Sequence, residues 1–222
     1  MNMATVVITG ANRGIGLEFV KQYITQGHKV YALCRNTSDA LSQSGAKVID
    51  KVDVGNPECL EKMLPKLNDL KIDLLINNAG VLASETLEKM SATTIEYQFR
   101  VNALGPVLVT QLLKDKLVKG SKVALITSRM GSMTDNTSGG YYGYRMSKAA
   151  LNMAGVSLAQ DLKDSEVAVG LLHPGYVQTE MVNNNGDISA AEAVERLMQR
   201  IEQLNMSNTG TFWHSNGEVL PW

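Results

Sequence analysis

Short apolar runs of strand length alternate with longer stretches of helical spacing along nearly the whole chain, and this alternation is the strongest constraint on its fold. The strand-like runs lie at residues 4–9, 29–34, 47–52, 72–76, 122–127, 168–172 and 211–213. Residues 14–26 carry Ile15, Phe19 and Ile24 at helical intervals and stop at Gly27, Pro57 suits the first position of a helix, and residues 142–163 and 190–204 read as helices. Short apolar strands separated by helices predict a parallel sheet covered on both faces. Right-handed crossovers then give a doubly wound α/β fold of about seven strands, expected to form one domain over residues 1–222. In such a sheet ligands bind beyond the carboxyl ends of the strands, near the point where the strand order reverses.

Composition removes several alternatives. With 222 residues, 44% of them hydrophobic, the chain can bury a full core and is not a candidate for wholesale disorder. A formal net charge of -1 gives no electrostatic reason to expect a nucleic-acid partner or an anionic membrane. Cys34 and Cys59 are too few for a disulfide framework and read as small buried hydrophobes. His28, His173 and His214 lack ligand spacing, so no metal site is expected. No basic leader and no run near 18 apolar residues occurs, so a cytoplasmic protein without a membrane anchor is expected.

The first strand is followed by Thr9-Gly10-Ala11-Asn12-Arg13-Gly14-Ile15-Gly16 and then directly by a helix. Glycines let the turn close tightly and let a ligand approach the backbone. The helix start offers free N–H groups and a positive dipole end to a pyrophosphate. The spacing is G-x3-G-x-G. It resembles the short-chain dehydrogenase/reductase family, whose signature is T-G-x3-G-x-G. Four further motifs carry the resemblance in order: Asn77-Asn78-Ala79-Gly80 after the fourth strand, Asn102 on a helix, Ser128 at the end of the fifth strand, and Tyr144-x3-Lys148. Pro174-Gly175 ends the sixth strand, and Thr179 follows where the family often has a threonine. The fine pattern around residues 142–153 and 209–222 is closest to the C-factor-like and sniffer-like branch, whose members look like carbonyl reductases, some linked to intercellular signalling.

The resemblance implies a Rossmann-type domain with a catalytic set of Ser128, Tyr144, Lys148 and Asn102. Tyr144 and Lys148 are four apart on one helix face. A tyrosine holds its proton to about pH 10, and a nearby ammonium favours the phenolate, so the pair is expected to bring the phenol toward neutrality for acid–base work. Ser128 would orient the substrate oxygen, with Ser132 as the alternative. Asn102 would relay protons through water to Lys148, or be a solvated helix residue. Cofactor contacts are expected from Gly10, Asn12, Arg13, Gly14, Ile15, Gly16, Asn78, Ala79, Gly80, Val54, Pro174, Gly175, Val177 and Thr179, with Tyr144 and Lys148. Asn77 would pack beneath the cofactor or tie neighbouring strands together. Asp53 would meet the adenine, or cap a helix. His173 reads as structural.

The end of the second strand, Leu33-Cys34-Arg35-Asn36, carries no acid to hold ribose hydroxyls. Arg35, with Arg13 as a second candidate, can pair with a 2′-phosphate, so NADP(H) is expected over NAD(H). Met130, Met133, Tyr141, Tyr142, Tyr176 and Met181 surround the expected pocket and suggest an apolar or aromatic carbonyl substrate. The polar stretch 182–187 is short where relatives with buried substrates carry a lid, which predicts an open pocket. The expected activity is NADP(H)-dependent reduction of an aldehyde, ketone or quinone. The alternative is a signalling or sensor protein that binds the dinucleotide without needing turnover. The resemblance also implies a homodimer, since the family often pairs through the helix after Asn102 and the helix carrying Tyr144.

Overall fold

The apolar runs become a single seven-stranded parallel sheet in the computed structural model, which describes residues 3–222. The strands are β1 (Thr5–Thr9), β2 (Lys29–Leu33), β3 (Lys47–Ile49), β4 (Ile72–Asn77), β5 (Leu117–Ile126), β6 (Ala168–His173) and β7 (Phe212–His214), in the spatial order β3-β2-β1-β4-β5-β6-β7. Order reverses between β1 and β4, and this places the switch point beside the glycine turn. The helices are α1 (Gly14–Thr25), α2 (Asp39–Ser42), α3 (Pro57–Met63), α4 (Ala92–Phe99), α5 (Gly105–Leu113), α6 (Tyr142–Asp161) and α7 (Ala190–Gln203).

Successive strand side chains point to opposite faces, and both faces are buried. Val6, Ile8, Leu74 and Ile76 pack with Phe19 and Val20 of α1 and Val194, Leu197 and Ile201 of α7. Their neighbours Val7, Leu75, Val123 and Leu125 pack with Leu60 of α3, Val109 and Leu113 of α5, and Leu151 of α6. The sheet is thus the middle of three layers. Apolar burial on both faces is the main stabilising contribution.

Local chemistry explains where elements differ from expectation. β3 stops at Ile49, short of residue 52, because Lys51 takes a left-handed φ of 58° that an extended strand cannot hold. β5 starts five residues early, at Leu117, with an irregular register between Ile72 and Leu74 and a left-handed Gly120. The helical region around Asn102 is α4 and α5 joined by a π-turn at Arg100–Leu104. Among the described residues no helix is long and apolar enough to cross a membrane.

Candidate active site

At the carboxyl edge of the sheet the loops after β1, β2, β4, β5 and β6 enclose one open cleft of about 1140 Å³. One side is the glycine turn. Gly10 has φ +65°, and a Cβ there would lie 2.7 Å from the Ala79 Cα; one on Gly16 would lie 2.1 Å from the Gly10 carbonyl oxygen. Only glycine permits this approach. The second motif anchors the first: the Thr9 hydroxyl accepts from the Asn78 and Ala79 N–H groups at 3.0 and 3.1 Å, and the Asn78 amide donates to the Thr9 and Gly10 carbonyls at 3.1 and 3.2 Å. α1 starts at Gly14 with no side-chain cap and no acid in its first turn. Its first N–H groups have no intrahelical acceptor and lie at the cleft wall, which suits an anionic ligand.

Of the expected catalytic set and cofactor contacts, all line this cleft except Asn102. Arg35 sits at the end of β2 and donates to the Tyr97 hydroxyl at 2.7 Å, while Arg13 is paired with Glu180 at 2.6 Å. Asp53 accepts from the Gly55 N–H at 2.9 Å; the cap of α3 is Asn56, so the capping alternative for Asp53 does not hold. Asn77 lies behind the cleft and donates to Thr110 at 3.1 Å, tying β4 to α5.

Opposite the glycine turn stand Ser128, Tyr144 and Lys148. Ser128 lies two residues beyond the end of β5, and its hydroxyl accepts from the Met130 N–H at 3.1 Å. Gly131 lets the following turn lie directly on α6: a Cβ there would lie 2.7 Å from the Lys148 carbonyl carbon. Ser132 turns away to accept from the Asp135 N–H at 3.1 Å and is not in the cleft wall. Lys148 is buried, its ammonium donating to the Ile126 carbonyl at 2.9 Å and lying 5.7 Å from the centre of the Tyr144 ring. Burial pulls its pKa down to about 8. Contrary to the expected lowering of the Tyr144 pKa, burial pushes the phenol up, and the Ser128 hydroxyl opposes this only in part. The phenol keeps its proton at neutral pH.

Asn102 lies behind the cleft wall. It is completely buried in the π-turn, donates to the Val81 carbonyl at 2.8 Å and the Ser147 hydroxyl at 3.0 Å, and accepts from the Val81 N–H at 2.8 Å. A buried amide must find such partners, and full burial excludes the alternative of a solvated helix residue. Instead it joins the segment after β4 to α6. His173 does line the cleft wall; its pKa is driven down to about 3 by burial and by the cationic neighbours, so it is neutral, stacked edge-on against His214 at 5.0 Å. Of the expected substrate-side residues Met130, Tyr141, Tyr176 and Met181 line the cleft, whereas Met133 and Tyr142 do not.

One functional element left no recognisable motif. α6 begins after Tyr141, which has a left-handed φ of 51° and offers no side-chain cap. Glu85, buried in the loop after β4, supplies it: its carboxylate accepts from the Gly143 N–H at 3.2 Å and the Gln98 amide at 2.6 Å, and its carbonyl accepts from the Tyr141 N–H at 2.8 Å. Gln98 in turn accepts from the Ala83 N–H at 2.9 Å. This contact fixes the residue before Tyr144.

The comparisons with known proteins agree with the geometry. Residues 4–190 match the model of the short chain dehydrogenase family. The chain belongs to that family. Its members are oxidoreductases that use a nicotinamide cofactor on small molecules. The chain is 35% identical to 1-hydroxy-2-glutathionyl-2-methyl-3-butene dehydrogenase of Rhodococcus sp. (strain AD45), over 99% of this chain and 100% of that protein. It is 42% identical to the C-signal protein of Myxococcus xanthus over 68% of this chain and 93% of that one. Its structure resembles the NADPH-bound carbonyl reductase from chicken fatty liver with a TM-score of 0.89, at 25% identity and full coverage of both chains. These relatives agree with the C-factor-like and carbonyl-reductase-like branch of the family.

The Glu85 contact yields a prediction. Glu85→Ala leaves the Gly143 N–H and the Gln98 amide unpaired in a buried place, at a cost of about 1–3 kcal/mol. Denaturant melts are expected to show that loss, and Glu85→Gln, which keeps an acceptor oxygen, to recover most of it.

Proposed function

We propose that the protein is an NADPH-dependent carbonyl reductase that converts an aldehyde, ketone or quinone to the alcohol. One observation carries this reading: a buried phenol and a buried ammonium, four residues apart on α6, open onto the same cleft as an uncapped helix start behind a turn whose Gly10 and Gly16 leave no room for a Cβ. A dinucleotide fits such a cradle, and when bound it supplies the hydride for the carbonyl carbon. The N–H groups of Gly14, Ile15 and Gly16 would hold its pyrophosphate, Asp53 and Val54 the adenine end, and Asn78, Ala79, Gly80, Pro174, Gly175, Val177 and Thr179 the nicotinamide half. Lys148 would bind the ribose hydroxyls.

Ser128 orients the substrate oxygen, and Tyr144 gives that oxygen its phenolic proton as the C–H bond forms. The carbonyl is reduced to an alcohol, and the phenolate left behind regains a proton from solvent. The positive charge of Lys148 stabilises the phenolate while it lasts. Asn102 acts by position, holding α6 through Ser147. The same groups run alcohol oxidation in reverse, the direction named for the Rhodococcus relative.

The test is NADPH consumption with aromatic aldehydes. Tyr144→Phe is expected to lower kcat about a hundredfold or more, as befits a lost general acid. Below about pH 8 Lys148 is charged and Tyr144 protonated; above it the ammonium is lost. The reduction rate is therefore expected to fall as pH rises through about 8, and this break to disappear in Lys148→Arg, whose guanidinium stays charged. A rate that climbs through that range would contradict the assignment.

For the cofactor, Arg35 is the freer guanidinium, since its partner is the neutral Tyr97 hydroxyl while Arg13 is held by Glu180. Arg35→Ser is expected to weaken NADPH binding about tenfold or more and to leave NADH binding nearly unchanged, as read by nicotinamide fluorescence titration. Equal losses for both would remove the case for NADPH.

A second reading, a signalling protein that binds the dinucleotide, draws on the 42% identity to C-signal. Full retention of biological signalling by Tyr144→Phe would favour it. A homodimer is also proposed: Phe99, Leu104, Met146 and Met153 are exposed apolar side chains on α4, the π-turn and α6. Sedimentation is expected to give twice the chain mass, and Met146→Glu with Met153→Glu to give the monomer.

A further inference from the structure

Five cationic side chains line the cleft, Arg13, Arg35, Arg129, Arg145 and Lys148, against three carboxylates, Asp53, Asp135 and Glu180. Their pairings sort them. Arg13 meets Glu180, Arg129 meets Asp135 at 3.2 Å and Glu218 at 3.0 Å, and Lys148 is turned to the Ile126 carbonyl. Among the described residues Lys148, Arg35 and Arg145 thus face neutral acceptors alone, and with Lys148 assigned to the Tyr144 pair the two guanidinium groups are left. They sit at opposite ends: Arg35 beyond β2, where the proposed 2′-phosphate lies, and Arg145 beside Tyr144.

The protein builds a seat for Arg145. Gly139, Gly140 and Tyr141 take three successive left-handed conformations, with φ of 63°, 63° and 51°. The loop so formed curls back over the start of α6, and the guanidinium donates to the Ser138 hydroxyl at 2.9 Å and the Gly139 carbonyl at 3.3 Å. Two neutral acceptors fix its direction without neutralising its charge. The remaining N–H donors suit a planar, two-oxygen acceptor. The acid–base chemistry of Tyr144, Lys148 and Ser128 makes no use of it.

We propose that Arg145 binds a carboxylate on the substrate, so that the carbonyl compounds this cleft selects are anionic, with the acid group set apart from the reacting carbon. The inference rests on the reductase reading and adds the substrate class to it. The neutral lining of Met130, Tyr141, Tyr176 and Met181 then covers the middle of the substrate, while Arg145 determines which end enters last.

The test compares 4-carboxybenzaldehyde with its methyl ester, which differ in charge but hardly in shape, using NADPH and the full chain. The wild type is expected to favour the acid by about tenfold or more in kcat/KM, as a charge-assisted pair at a partly exposed site gives. In Arg145→Gln that ratio is expected to collapse toward one, with Arg145→Lys keeping part of it. Should Arg145 serve only to tie the loop to α6, both aldehydes lose rate together and the ratio stays put, which overturns the proposal. Equal rates for the two aldehydes in the wild type overturn it as well. If neither aldehyde consumes NADPH, the reductase reading itself fails, and the substrate class falls with it.

Discussion

Helix α6 starts with nothing of its own to satisfy its first amides, and the geometry of the site depends on an acid brought from another part of the chain. The Glu85 carboxylate, held by Gln98, takes the Gly143 N–H in a place closed to water. An anion at a helix start is favoured by the dipole, and a buried one is favoured most when its lone pairs are all engaged. From the other side Gly131 presses the turn after β5 onto the backbone at Lys148, and Asn102 grips Ser147 from the π-turn. Three buried contacts from three loops thus set one helix face, and the proposed proton donor and its cation ride on it.

The sheet order follows from the same economy of contacts. β1 lies centrally, so the glycine turn meets the loop after β4 directly, and a single threonine hydroxyl can accept from two amides across that junction. The half of the cleft around the glycine turn is therefore built largely from backbone and small side chains. The half around Tyr144 is built from long side chains whose protonation is governed by burial.

Much of this was legible in the sequence. Strand-length apolar runs separated by helices gave the layers, since period and burial on both faces leave few other solutions, and the glycine turn, Asn78, Ser128, Tyr144 and Lys148 carry spacing that survives without coordinates. Edges were less legible: β3 ends early through the backbone angle of Lys51, and β5 begins early beside Ile72, both decided by register and not by composition. Burial was the other blind spot. Proximity of an ammonium suggests a lowered phenol pKa, but the cost of removing Tyr144 from water works the other way and is larger. The buried partners of Asn102 and the helix cap supplied by Glu85 reflect the same limit, because hydrogen bonds between segments far apart in sequence leave no periodic trace.

The short connection from β6 to α7 closes on itself through backbone bonds, Gln178 to Ile188 and Asp187 to Tyr176, while the loop before α6 is pinned through Thr134 to the carbonyl of Trp222. Both are strung between fixed posts of the sheet and contribute little to either apolar layer. Changes of length or sequence in them can therefore accumulate without eroding the core. A lineage carrying this scaffold can drift in what it recognises while its fold stays constant, and divergence among its descendants would be written first in the parts of those two loops beyond Gly131 and beyond Thr179.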